Sequence, residues 1–298
     1  MAPARRALWQ IHLCVLLWAF TAILGRLMSL SATQIVAWRL LLVFALLALL
    51  PRVWRALRGI PGPMLARYAG IGVAVAAHWL AFYGAIKLSN ASVATICLAV
   101  APVAITLFEP LIHGTRIRGL DLALGVAVIP GVVLIAGGIP DGMMGGLWLG
   151  LVAAVLGAAF MSLNKRWGGE RDALAVTAVE MGAGLAFVLA VLPWLPGGGT
   201  LQHPGTRDLL LLLALATACT ILPFALSLVA LREVSAFTMQ LAINLEPIYA
   251  IVIAAAFLGE SRELSATFYL GAAIVIAAVL AQGWLGARAR EATTPATG

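Results

Sequence analysis

The sequence predicts an all-α polytopic membrane protein with ten transmembrane helices arranged as two inverted five-helix repeats. Three observations predict it: an apolar composition, ten separable apolar stretches of bilayer length, and an internal repeat with an odd number of stretches per copy. Of the 298 residues, 63% are hydrophobic and only 10% are charged, a balance that a water-soluble chain of this size could not bury. Aromatic residues are few (8%) and glycines number 30, so the apolar mass is mostly Ala, Leu and Val. That mixture suits close helix packing in lipid better than the alternation of a β-barrel.

A hydrocarbon core about 30 Å thick needs roughly 20 apolar residues at about 1.5 Å per residue. By that rule spans are expected at 7–29, 33–51, 66–87, 90–112, 119–139, 145–164, 173–193, 208–230, 236–258 and 265–286. Turn chemistry separates them, as in Arg58 to Pro63, Gly138 to Gly142 and Pro193 to Gly199. Arg5 and Arg6 precede the first stretch in the manner of a signal peptide, but the apolar run continues without a small-residue cleavage site, so a retained helix is expected.

Charge distribution sets the expected orientation. With the N-terminus cytoplasmic, the inner side collects Arg5, Arg6, Arg52, Arg55, Arg58, Arg67, Arg116, Arg118, Lys165, Arg166, Arg171, Arg232, Arg288 and Arg290, which is 14 of the 19 Lys and Arg. Arg26, Arg39, Lys87, Arg207 and Arg262 remain. This asymmetry places both termini in the cytoplasm of a bacterial-type inner membrane, and it explains the net charge of +7 without nucleic acid. Trp9, Trp54, Trp148, Trp167, Trp194 and Trp284 fall at span ends, where an indole anchors at the headgroups. Cys14, Cys97 and Cys219 lie in apolar runs without metal or CxxC spacing and read as packing residues.

The repeat appears at an offset of 145 residues. It pairs Lys87 with Arg232, Ala91 with Ala236, Pro102 with Pro247 and Gly114 with Gly259. The expected repeats are 1–140 and 141–298. Five helices per copy force the second copy to enter the bilayer from the opposite side, and two mirror-related packings of similar energy are the physical basis of alternating access.

The sequence resembles the drug/metabolite transporter superfamily, and within it the ten-helix EamA-type exporters, along nearly its whole length. Carrying the resemblance are Leu17, Trp18, Ala19 and Phe20; Ala37, Trp38 and Arg39; the stretch from Gly84 to Pro102; Ala158, Ala159 and Phe160 with Asn164, Lys165 and Arg166; and Glu246-Pro247 leading to Gly259-Glu260. The first copy departs from the pattern, with Gly114-Thr115 where the second has Gly259-Glu260. The resemblance implies a central cavity between the halves and efflux of amino acids or drug-like metabolites. The run of His78, Trp79, Phe82 and Tyr83 places the aromatic and broad-specificity amino-acid exporters nearest.

Glu246 is the foremost candidate for chemistry. It stands mid-span immediately before Pro247, whose missing N–H frees helix carbonyls to meet an ion or substrate, and burial there would permit proton coupling. A protonated or paired structural role is its alternative. Glu180 could serve as an ion-pair partner, and Glu109 lies near the cytoplasmic end of its span. Arg39 could hold a substrate carboxylate, pair with Glu246 or act as a gating residue. His78, Trp79, Phe82 and Tyr83 present aromatic faces with polar tips, suited to an amphipathic zwitterion or an organic cation, or else to packing against neighbouring helices.

Trp18, Thr95, Gln240, Asn244 and Tyr249 could complete a substrate pocket, and Pro102, Pro223 and Pro247 are expected to distort their helices. Gly125, Gly131, Gly137 and Gly271 read as close-contact positions. The leading expectation is a secondary exporter of amino acids and related small metabolites. Drug or quaternary-cation efflux is the alternative, and an intramembrane enzyme lacks its usual G-x-S-x-G, H-E-x-x-H or P-loop residues. No cofactor is expected. The expected partners are a small-molecule substrate, the lipid bilayer and protons.

Overall fold

The computed structural model describes residues 3–105, 108, 119–167, 171–230 and 242–291. Among them every regular element is helical: α1 (Pro3–Leu27), α2 (Ala32–Ala48), α3 (Pro51–Leu57), α4 (Gly62–Leu88), α5 (Ala91–Leu98), α6 (Gly119–Gly137), α7 (Met144–Trp167), α8 (Ala173–Val191), α9 (Thr206–Ala216), α10 (Leu222–Ala230), α11 (Glu246–Phe257) and α12 (Ala266–Glu291). Among the described residues, four stretches are long and apolar enough to cross a membrane, namely Arg5–Leu27, Gly62–Leu88, Asp141–Trp167 and Ala173–Trp194. A fifth is added if α2 and α3, bent by 88°, count as one span. Shorter apolar helices fill Ala91–Ile105, Gly125–Gly137, Glu246–Phe257 and Ala266–Ala281. The protein is a multi-pass membrane protein. Trp9, Trp54, Trp148, Trp194 and Trp284 are exposed on its outside, as residues facing lipid would be.

Helices from the two ends of the chain interleave. α4 packs on α7 and α8, α2 on α8, α1 on α10 and α11, α5 on α7 and α11, and α6 on α12. Two crossings depend on glycine. At α4/α8 a Cβ on Gly72 would collide with the backbone of Glu180, and Gly184 faces the Gly72 carbonyl. At α6/α12 Gly131 and Gly271 stand against each other's carbonyls. Gly125 packs on the Val103 side chain, whereas Gly137 has open space around it, so close contact does not explain that residue.

Proline interrupts the helices where the sequence placed it, and in ways hydropathy alone does not show. Pro51 opens α3 after Leu50 adopts extended geometry, which turns the chain sharply out of α2. After α5, Ala99 and Val100 form a two-residue turn before the helix resumes at 101–105, with the Val100 N–H bonding back to Cys97 at 3.0 Å. Before α11, Asn244 and Leu245 form the same turn, with the Leu245 N–H bonding to Ala242 at 3.0 Å. Each turn ends one residue before its proline, Pro102 or Pro247. The expected span 208–230 is likewise not one regular helix. A π-helical turn at Thr217–Ile221 separates α9 from α10, and the Leu222 N–H reaches back to the Thr217 carbonyl. Pro223 offers no N–H to the carbonyl of Cys219, and the widened turn accommodates that loss.

At the other end of α8, Asp172 caps the helix, accepting the N–H groups of Leu174 (3.0 Å) and Ala175 (3.3 Å) and a bond from Arg52 Nε at 2.7 Å. Partial burial pushes the Asp172 carboxyl up. The Arg52 hydrogen bond, the Ala175 N–H, the Arg52 charge and the Leu174 N–H together outweigh it and hold the group below the usual carboxylate range. A depressed folded-state value stabilises the fold above the ordinary carboxylate pKa, and that contribution is lost as pH falls through the folded value. Asp172→Ala should therefore cost about 1 kcal/mol at neutral pH through the lost cap. Asp172→Asn, which keeps the cap and loses an exposed ion pair, should cost only a few tenths of a kcal/mol, roughly. Thermal unfolding in detergent checks both, and the deficit of Asp172→Asn should vanish in acid.

Candidate functional site

Arg39 organises the site. It lies on α2, 4% exposed, with its Cζ 3.7 Å from the centroid of the Trp79 ring on α4. Its Nη1 donates to the Tyr83 hydroxyl at 3.1 Å, while Nε (3.2 Å) and Nη2 (3.0 Å) both donate to Thr220 Oγ1. Thr220 stands in the π-helical turn and donates its own proton to the Leu215 carbonyl at 2.7 Å, so its oxygen is free to accept from the guanidinium. A charged side chain near the centre of a bilayer costs about 2.5–3.5 kcal/mol on insertion scales. Arg39 meets that cost with a ring face and two hydroxyls, none of them negatively charged.

The sequence named Arg39 apart from the ridge of Trp79 and Tyr83, and the fold brings the three together. Thr220 was missed, because only the widened turn places its hydroxyl beside α2. His78 points elsewhere. Its Nδ1 is 2.7 Å from the Ala153 carbonyl on α7, and its ring stacks on Phe82 and meets Phe160 edge-on. Phe82 and Tyr83 in turn meet edge to face at 5.5 Å, so one aromatic ladder joins the two clusters.

Glu246 is the first residue of α11, directly after the two-residue turn, where unpaired helix N–H groups favour a negative charge. It is half-buried, and no described residue forms a hydrogen bond or ion pair with its carboxylate. Tyr249, nearly one turn on, has its hydroxyl 3.0 Å from Nδ1 of His12 on α1, and it packs with Trp18 on an apolar cluster that includes Ile11, Val15 and Ala242. His12 was not foreseen from the sequence. Asn244 occupies the turn itself.

Other candidates lie apart from this group. Thr95 is 1% exposed and donates to the Ala91 carbonyl one turn back. Glu180 is buried at the α4/α8 crossing, with Oε1 unpartnered. Ion pairs among the described residues are Arg52 with Asp172 and Arg26 with Glu263, and neither Arg39 nor Glu180 takes part in one there. The Pro223 carbonyl accepts from the Cys14 thiol at 3.3 Å. Gln240, Glu109 and the Gly114-Thr115 pair lie outside the described residues.

A polar seal closes one end of the bundle. Glu260, 1% exposed, accepts the N–H groups of Ala91 and Ser92 at 2.9 Å each and the Ser92 hydroxyl at 2.7 Å. Asn90 completes the cap by accepting from the Val93 N–H, and its amide donates to Glu263. Gly259, at φ +69°, ends α11 in the left-handed conformation that turns the chain toward α5. Asp208 likewise accepts the N–H groups of Ser29 and Leu30 and the Ser29 hydroxyl, the last at 2.6 Å. Lys87 donates to the Met28 carbonyl and Arg26 to the Ser89 carbonyl. Both carboxylates thus hold backbone from the other half of the chain. The Gly259-Glu260 pair was visible in the sequence, but its partner 169 residues away was not.

The EamA-like transporter family matches this chain twice, at residues 5–137 and 144–282. The chain belongs to the EamA-like transporter family. The boundary between the two EamA matches falls in the loop joining α6 to α7. A curated relative from Streptantibioticus cattleyicolor, named a probable terminal-alkyne amino-acid exporter, is 29% identical over 97% of this chain and 98% of its own length. A solved crystal structure shares the fold, with a TM-score of 0.63 over 95% of this chain and 99% of its own at 18% identity. EamA membership, together with the exporter-named relative, points to a transporter.

Proposed function

We propose that this EamA-family protein is a secondary exporter of amino acids and related small metabolites, working by alternating access across a bacterial-type inner membrane with both termini cytoplasmic. Ten crossings form two inverted repeats, 1–140 and 141–298, around a shared chamber. The observation that carries the reading is the pair of interrupted helices. Turns at Ala99-Val100 and Asn244-Leu245 stand 145 residues apart, each ending one residue before an equivalent proline. Matched broken helices at mid-membrane depth are where transporters of inverted architecture expose backbone to cargo. Helix in each of the ten expected stretches and the twofold family match lend support, as does the exporter name of the Streptantibioticus relative.

No nucleotide-binding motif supplies energy, so the driving force is a gradient, with Glu246 as the proton-carrying candidate. In proteoliposomes, labelled amino acids should cross faster than in empty vesicles; no acceleration for any of the twenty would refute the assignment. An imposed pH gradient should alter the rate of the wild type and leave Glu246→Gln insensitive. If the wild type ignores the gradient, proton coupling is excluded and exchange or facilitated diffusion takes its place.

A further inference from the structure

Positive charge at one corner of the bundle exceeds the acid that meets it. From Arg52 to Arg67 the sequence carries four arginines and no Asp or Glu. After α2 the chain turns through 88° into α3, so where α2 crosses the bilayer α3 runs along its surface. Val53, Ala56, Leu57 and Ile60 recur at helical spacing and pack inward on the main apolar core. Arg52, Arg55 and Arg58 stand on the outward side, all exposed, beside a half-exposed Trp54 whose indole N–H donates to the Ala48 carbonyl at 2.6 Å.

Residues from the second half of the chain meet the same corner. Arg52 Nε reaches Asp172 at 2.7 Å, Arg171 Nη1 donates to the Gly59 carbonyl at 3.5 Å, and the Tyr68 hydroxyl donates to the Trp167 carbonyl at 2.9 Å. Arg67 and Arg166 both lie over the Trp167 ring, at 5.3 and 6.0 Å from its centroid. Asp172 is the carboxylate that reaches this group among the described residues, and Arg52 with the first N–H groups of α8 already occupies it. Glu170 lies outside the described residues. Arg55 and Arg58, three positions apart on one side of α3, have no ion pair there. Exposed Leu49, Leu50 and Trp54 border them, so cationic and apolar surface are offered side by side.

We infer that this corner binds an anionic phospholipid, with Arg55 and Arg58 holding the headgroup phosphate and Leu49, Leu50 and Trp54 meeting the glycerol and upper acyl chain. A soluble anion would use the charge and leave the apolar border unmatched, whereas a lipid satisfies both. Because Arg52 and Gly59 are tied across to Asp172 and Arg171, a headgroup held here also fixes a joint between the two halves of the chain.

The test is native mass spectrometry of the purified full chain with equal amounts of dioleoyl phosphatidylglycerol and dioleoyl phosphatidylcholine, which share acyl chains and differ in net charge. The wild type should bind phosphatidylglycerol about ten- to thirtyfold more tightly, since each arginine at a lipid surface adds about a fivefold preference for negative charge. The double variant Arg55→Gln/Arg58→Gln should lose most of that preference. Arg288→Gln/Arg290→Gln, which removes the same charge from the C-terminal end, should keep it. Glycerol phosphate in large excess should leave the bound lipid in place. The preference is a ratio read on intact protein, so a variant recovered in low yield still reports. Equal binding of the two lipids by the wild type overturns the site, as does a preference that survives in Arg55→Gln/Arg58→Gln or falls equally in both double variants. Displacement by glycerol phosphate overturns it too, by showing a site for a soluble anion.

Discussion

Glu260→Ala should release α5 from the loop after α11 and loosen one whole end of the bundle. The carboxylate satisfies two backbone N–H groups and a hydroxyl at the start of a buried helix, and its negative charge lies against the positive end of that helix. Hydrogen bonds to a charged acceptor are worth about 1.5–3 kcal/mol each, so removal should cost at least about 3 kcal/mol. Cys97 on α5, 2% exposed, is a native reporter of that release. In a background where Cys14 and Cys219 are replaced by Ala, a membrane-impermeant thiol reagent should label Cys97 much faster in Glu260→Ala than with Glu260 intact. Equal labelling rates together with an unchanged melting temperature would show that the carboxylate does not hold the helix.

Gly72→Ala should abolish folded protein, although it adds a single methyl group. The new Cβ would occupy the position of the Glu180 backbone on α8, so α4 and α8 would have to separate along a buried crossing. Side-chain overpacking costs about 1–3 kcal/mol, and a collision with backbone exceeds it because no rotamer relieves it. The neighbouring Gly70→Ala is the control, since nothing lies within 4 Å of its added methyl. Exchanging Gly for Ala there should leave stability unchanged or raise it by up to about 1 kcal/mol. Monodisperse protein recovered in detergent reads both variants, and equal recovery would mean that the α4/α8 contact is looser than described.

What could be read from the sequence follows the range of the forces involved. Hydropathy is a local quantity, and α4, α7 and α8 lie within a few residues of the stretches it marked. Proline is equally local, so Pro102, Pro223 and Pro247 were marked as breakpoints. The form of each break was not visible, because a π-helical turn and a two-residue turn are alternative ways of satisfying the same orphaned carbonyl, and packing chooses between them. Arg39, Trp79 and Tyr83 stood out because polar or aromatic tips are costly to bury. Thr220, His12 and Asp208 did not, since a small polar residue in or beside an apolar helix becomes informative only when its partner is known. Asp208 finds its partners at Ser29 and Leu30, some 180 positions earlier. His78 shows the opposite case, a conspicuous residue whose ring nitrogen is committed to a neighbouring helix.

The pin between Glu260 and α5 has no carboxylate counterpart in the first copy, where Thr115 occupies the equivalent position. A perfectly mirrored carrier would idle with equal populations facing each way. One carrying a lock at a single mouth idles with that mouth shut, whichever way it lies in the bilayer, and its empty form loads from the opposite compartment. Such a bias of a few hydrogen bonds would set which side the empty form loads from, while the gradient keeps the sign of net flux.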